Sequence, residues 1–139
     1  MIEFLTEDVE LPSINSELLQ KWITTVIKDH DFNVGSLSVI FCSDEFILKT
    51  NREFLGHDYY TDIITFDYCE NRNISGDLLI SLETVKSNSE EFKTDFFDEI
   101  HRVIIHGILH LIGFDDKTPE LSAVIRIEED KALQLLKNI

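Results

Sequence analysis

Apolar residues recur along this chain at two spacings, every second position in short runs and every third or fourth in longer ones. That pattern predicts strands interleaved with helices. The first strand is predicted over Ile2 to Thr6. Pro12-Ser13 then opens a helix reaching about His30, with Leu18, Trp22, Ile23, Val26 and Ile27 on its apolar stripe. Gly35 precedes a second strand, Ser36 to Cys42, in which Leu37, Val39 and Phe41 alternate. Ser43-Asp44-Glu45 reads as an N-cap with an acidic first turn, starting a helix that ends near Leu55-Gly56. Thr61 to Phe66 and Ile74 to Ser81 are rich in β-branched residues and predict two more strands, and Gly76-Asp77 inside the second marks a bulge or a close backbone approach. Ser81 caps a surface helix through about Phe92, with a polar middle from Lys86 to Glu91. Asp95 to Ile112 is apolar nearly all round and predicts the buried central helix, terminated by Gly113. Thr118-Pro119-Glu120 starts the last helix with a cap and a proline at its first position. The expected architecture is α+β (α/β is the neighbouring description), a single domain over residues 1–139 whose small mixed sheet of about four strands packs with about five helices.

Length and composition narrow the class. A chain of 139 residues that is 43% hydrophobic fits one domain with a real core. The expectation is no membrane span, because no apolar run approaches about eighteen residues. The first residues, Met-Ile-Glu-Phe-Leu-Thr-Glu-Asp, do not resemble a secretory leader. Cys42 and Cys69 make no disulfide framework, read as small hydrophobes, and suggest a reducing cytoplasm. Any metal must therefore be held by His and carboxylate. The net charge of −15 weighs against a nucleic-acid partner, since phosphate binding favours a basic face. Lys49, Arg52, Arg72, Lys86, Arg102 and Lys117 either gather into a local patch or are scattered surface charges.

The chemistry concentrates in His106-Gly107-Ile108-Leu109-His110-Leu111-Ile112-Gly113-Phe114-Asp115-Asp116. Histidines four apart on a helix leave one face a turn apart, the spacing that presents two nitrogens to one metal. Gly113 lets the chain turn back and offer Asp115 or Asp116 as a third ligand. Two His and one carboxylate leave a position open, which marks a catalytic rather than a structural zinc site. Such pairs also occur as satisfied core or surface residues. Here, however, both imidazoles sit in the most apolar helix, where desolvation costs unless strong partners exist. His101 is expected to face elsewhere, and His30 and His57 read as surface residues. Arg102, one turn before His106, either contacts a substrate phosphate or pairs with Asp98.

These residues resemble the YbeY family of bacterial endoribonucleases, whose motif H-G-x-L-H-L-x-G-Y-D-H is matched by residues 106 to 115 apart from Phe114. Thr61-Asp62-Ile63-Ile64-Thr65-Phe66 is similar to its T-D-V-L-S-F, and Gly76-Asp77-Leu78-Leu79-Ile80-Ser81 to its G-D-I-x-I-S. The resemblance covers nearly the whole chain. It implies zinc on a zincin-like histidine helix, cleavage in maturation of small-subunit ribosomal RNA, ribosome quality control, and the ribosomal small subunit or its proteins as partners. The motif's third His is Asp116 here, so His106, His110 and Asp116 form the implied ligand set, which makes Fe or Mn more plausible beside Zn. Leu55 stands where the family carries an Arg, and Arg52, one turn earlier, is the candidate to replace it in phosphate binding, with Lys117. Tyr60 and Asp67 replace prolines that flank the Thr-Asp strand.

The expected activity is metal-assisted phosphodiester hydrolysis. Gly107 occupies the position of the general-base Glu in H-E-x-x-H peptidases, which argues against a protease. Arg102, Asp62 and Asp115 are the candidate catalytic groups, with Asp77 a further candidate base. Two rival readings are a metal-dependent hydrolase of another substrate and a non-catalytic ribosome-assembly factor.

Overall fold

The computed structural model describes residues 1–56 and 61–139. His57 and Tyr60 lie outside the described residues. Four strands, β1 (Ile2–Thr6), β2 (Asn33–Cys42), β3 (Ile63–Asp67) and β4 (Asn73–Ser81), form one sheet in the order β1-β2-β4-β3. β1, β2 and β4 run parallel, and β3 is antiparallel to β4. Five helices accompany them: α1 (Ser16–Asp29), α2 (Asp44–Leu55), α3 (Leu82–Glu91), α4 (Phe96–Ile112) and α5 (Pro119–Lys137). This is the expected single small domain with a mixed four-stranded sheet and five helices.

Local chemistry accounts for most boundaries. Ser43, Ser81, Asp95 and Thr118 each accept a backbone N–H as N-caps, and Gly56 closes α2 at φ 67°, in the left-handed region that favours glycine. α1 starts later than Pro12-Ser13 predicts. The Ile14 N–H donates to the Pro12 carbonyl at 2.7 Å, holding a tight turn there, and Asn15 is the cap that accepts from Leu18 N. β2 starts earlier than predicted, at Asn33, because its pairing with β4 continues through a register shift between Val34 and Leu37. That shift puts Gly35 against Ser75, where a Cβ would drive into the Ser75 hydroxyl.

Alternation along β4 divides the core. Ile74, Leu78 and Ile80 join the large cluster with Trp22, Ile23, Phe41, Ile104 and Ile108, whereas Leu79 packs with Cys42, Ile47 and Ile64 on the other face, which α2 covers. Cys42 is fully buried, donates its S–H to the Ile80 carbonyl at 3.5 Å, and has its pKa pushed up to about 12 by burial and neighbouring carboxylates. Cys69 is half-buried.

Two glycines bring α4 and the sheet together. A Cβ on Gly107 would stand 2.7 Å from Ile63 Cδ1 and 2.8 Å from Leu78 Cδ2, so the bare helix face lies directly on β3 and β4. Gly76 is the close backbone approach anticipated from sequence, since a Cβ there would collide with the Phe66 carbonyl of the paired strand. A carbonyl in a ladder cannot rotate away as a side chain can. Gly76→Ala is therefore expected to destabilise the fold by about 1–3 kcal/mol or more. Urea denaturation measures this, and an unchanged midpoint would contradict the packing described.

Candidate metal centre

α4 is buried along Ile100, Val103, Ile104, Ile105, Ile108 and Leu109, and this fixes its rotation on the sheet. His106 and His110 lie at the margin of that buried face, with side chains 24% and 28% exposed. Gly113 then turns the chain at φ 128°. Asp115 braces the turn by accepting the Asp116 N–H at 2.7 Å, and Asp116 is the residue that folds back toward the histidines. Of the two aspartates, Asp116 is the one that lies beside both imidazoles: its Oδ2 is 3.5 Å from His106 Nε2 and 3.6 Å from His110 Nε2. The two Nε2 atoms are 3.1 Å apart.

These separations suit a single ion. Donors at about 2.0–2.1 Å from a tetrahedral zinc stand about 3.3–3.4 Å from one another. The triangle of 3.1, 3.5 and 3.6 Å brackets that edge. Within the described residues, His106, His110 and Asp116 form the His/Cys/Asp/Glu group able to hold a metal.

The second nitrogen of His106 identifies a residue missed from sequence. Its Nδ1 donates to Glu129 Oε2 at 2.6 Å, and Glu129 is only 4% exposed. Because a carboxylate only accepts, this bond assigns the proton to Nδ1 and turns the lone pair of Nε2 toward His110 and Asp116. Burial pulls the basicity of His106 down, but the Glu129 hydrogen bond and charge, then Asp116 and Asp62, outweigh it and raise the pKa. Burial pushes Glu129 up, yet His106 and Arg102 hold it below its ordinary value. The available signal was Glu129 itself, a charge on the stripe Ile125, Glu129, Ala132 that α5 buries.

The position of α5 is set independently. Trp22 Nε1 donates to the Ala132 carbonyl at 2.7 Å inside the core, tying α5 to α1 one turn beyond Glu129. Arg102 does not pair with Asp98. Its two terminal nitrogens each lie 2.8 Å from a carboxylate, Nη1 from Glu129 and Nη2 from Asp130, because α5 presents both acids to the planar guanidinium. His101 faces elsewhere as expected, edge-on to Trp22 with centroids 6.0 Å apart, and burial lowers its pKa. His30 is half-buried, with Nδ1 on the Val26 carbonyl and Nε2 3.5 Å from Glu128.

Asp62 lies between two cavities. One, of about 410 Å³, is the cleft of the cluster, bounded by Asp62, Thr65, Asp67, His106, His110 and Asp116. Asp62 and His106 also border a larger cavity among α3, α4 and α5. Burial raises the Asp62 pKa, partly offset by the charge of His106. Of the six cations considered as a patch, only Arg102 lines either cavity. Arg52 is on the exposed side of α2, Lys117 is exposed 4.0 Å from the Asp115 carboxylate, and Arg72 stacks on Phe32 and donates to the Asp31 carbonyl. Of the two alternatives, the arrangement is that of scattered charges, since none of the six lines the cleft of the cluster.

Fold and cluster together define a small α+β domain with a two-histidine, one-carboxylate group on a buried helix. The family model described as Endoribonuclease YbeY matches residues 1–137. Over 136 residues the chain is 52% identical to Endoribonuclease YbeY of Bacteroides fragilis, covering 98% of both chains. It is 53% identical over 136 residues to that of Porphyromonas gingivalis, covering 98% of this chain and 90% of the other. A solution structure of a Thermotoga maritima protein matches with a TM-score of 0.69 and 29% identity, over 98% of this chain and 89% of that one. The chain belongs to the YbeY endoribonuclease family.

Proposed function

We infer that this protein is a metal-dependent endoribonuclease that acts in maturation of ribosomal RNA, with His106 Nε2, His110 Nε2 and Asp116 Oδ2 as the metal ligands. The observation that carries this reading is the ligand triangle together with the buried carboxylate that orients one of its imidazoles. A divalent cation bound there supplies Lewis acidity toward a phosphodiester and toward water. Glu129 holds His106 in its ligating tautomer, and Arg102 in turn holds Glu129. Asp62, half-buried with a raised pKa beside His106, is suited to take up and return a proton at its carboxyl oxygens. Asp115 shapes the turn that delivers Asp116.

Zinc suits the nitrogen donors, and the carboxylate leaves iron or manganese as competitors. The proposed setting is the cytoplasm, with ribosomal RNA as substrate and the ribosomal small subunit or its proteins as partners. No helix of the described residues is long and apolar enough to cross a membrane.

Single-turnover cleavage of a ribosomal RNA precursor fragment tests the reading. Chelation should abolish cleavage, and reloading with zinc, iron or manganese should restore it, with the most active ion identifying the cofactor. Cleavage indifferent to chelation and reloading would remove metal dependence from the mechanism.

A further inference from the structure

The larger cavity beside the cluster has a volume of about 630 Å³ and is walled by α3, α4 and α5. That volume suits a compact organic ligand such as a nucleoside. Its composition is uneven in an informative way. The Phe92 ring, 62% exposed, stands at the rim, and Val103 and Ala123 give an apolar wall. Asn88 is half-buried in the lining, and its side-chain amide has no hydrogen-bond partner among the described residues. Arg126, also in the lining, has no ion pair among the described residues, although acids outnumber bases 27 to 12 in this chain.

The same cavity is also lined by Asp62, Glu99 and Glu129. Three carboxyl groups make it a poor site for a phosphate; Glu129 is taken by Arg102 and His106, while Asp62 and Glu99 can accept hydrogen bonds from amino groups. An exposed aromatic face is a stacking platform, and a side-chain amide offers a donor and an acceptor together, as the edge of a base requires. The cluster cleft shares Asp62 and His106 with this cavity, so the two adjoin.

We propose that the cavity between α3, α4 and α5 is a nucleobase subsite, in which Phe92 stacks on the base of a nucleotide flanking the scissile phosphate, Asn88 hydrogen-bonds its edge and Arg126 closes over it. This rests on the nuclease reading for its position beside the scissile bond. Phe92, Asn88 and Arg126 are not among the proposed metal ligands, of which only His106 borders the cavity.

Fluorescence anisotropy tests it, using the full chain and a fluorescein-labelled, phosphorothioate-linked oligoadenylate that resists cleavage. Phe92→Ala is expected to weaken binding about tenfold or more, the scale of losing one base–aromatic stack. Asn88→Ala should weaken it severalfold. The exposure of Phe92 keeps its variant folded, and Asn88→Ala provides a second, independent reading. A matching probe with abasic positions should bind wild type as poorly as the normal probe binds Phe92→Ala. Equal binding by wild type and both variants, or of normal and abasic probes, overturns the proposal. Cleavage of the ribosomal RNA fragment separates the two readings. Cleavage that needs His110 but is unchanged by Phe92→Ala leaves the nuclease intact and overturns the subsite. Absence of His110-dependent cleavage removes the nuclease reading, while the anisotropy series still decides whether a base binds.

Discussion

His110→Ala is expected to leave a folded protein that retains almost no metal and cleaves RNA about a thousandfold more slowly. His110 contributes one donor nitrogen to a three-donor group, at 3.1 Å and 3.6 Å from the other two. Two remaining donors do not hold a divalent ion against water, so occupancy should fall from near one ion per chain to a small fraction. Removing the Lewis acid forfeits several kcal/mol of charge stabilisation, and each factor of ten in rate corresponds to about 1.4 kcal/mol. The side chain is 28% exposed and makes its polar contacts within the cluster, so the fold loses little. Mass spectrometry of untagged protein purified without chelator gives the metal count, and single-turnover assays give the rate. A variant that keeps its metal would move the site elsewhere. A variant that loses metal but cleaves at the wild-type rate would assign the activity to a contaminant.

The second large effect concerns a residue that touches no metal. Glu129 holds both the proposed ligand His106 and the guanidinium of Arg102, and it is almost completely buried. Removing one member of a buried ionic group strands the others, which costs about 3–5 kcal/mol. Glu129→Ala should show this as a lower thermal midpoint. Glu129→Gln keeps the shape while losing the charge, and should weaken metal affinity about 10–100-fold, the usual effect of losing a group that orients a ligating His. Competition against a chelator reads this affinity. Unchanged affinity with reduced stability would make Glu129 a structural anchor and nothing more. The Arg102→Lys variant, which cannot bridge Glu129 and Asp130 with one planar group, should move both readouts in the same direction and by less.

Local signals and long-range packing differ in how far they can be read along this chain. Ser43, Ser81, Asp95 and Thr118 announce helix starts because capping is a matter of three or four adjacent residues. Pro12 misleads because a proline suits a turn before a helix as well as its first residue, and here the turn won and Asn15 became the cap. His106 and His110 are legible since helical spacing alone puts them together. Spacing alone leaves Asp115 and Asp116 open and the motif register implies Asp116, while a backbone bond inside the turn is what aims it at the histidines. Glu129 lies 23 residues from its histidine, and only the docking of α5 on α4 joins them. Arg102 shows the same limit, because its partners come from α5 and not from the Asp98 one turn away on its own helix. The cavity bordered by Phe92, Asn88 and Arg126 is equally a product of three helices meeting, with no trace in any single segment.

The tie between Trp22 and the Ala132 carbonyl bears on the proposed metal site as well. It seats α5, and α5 supplies the carboxylate that aims His106. If the cluster holds its metal as proposed, docking of the last helix and capture of the ion are two equilibria joined by the Glu129–His106 bond, and linkage makes their coupling free energy the same in both directions. Loading the ion should slow amide exchange in α5, a segment that contributes no ligand, and loosening α5 at Trp22 should release the ion from a cluster whose three donors are untouched. The C-terminal helix would then share in holding an ion that none of its own side chains touches.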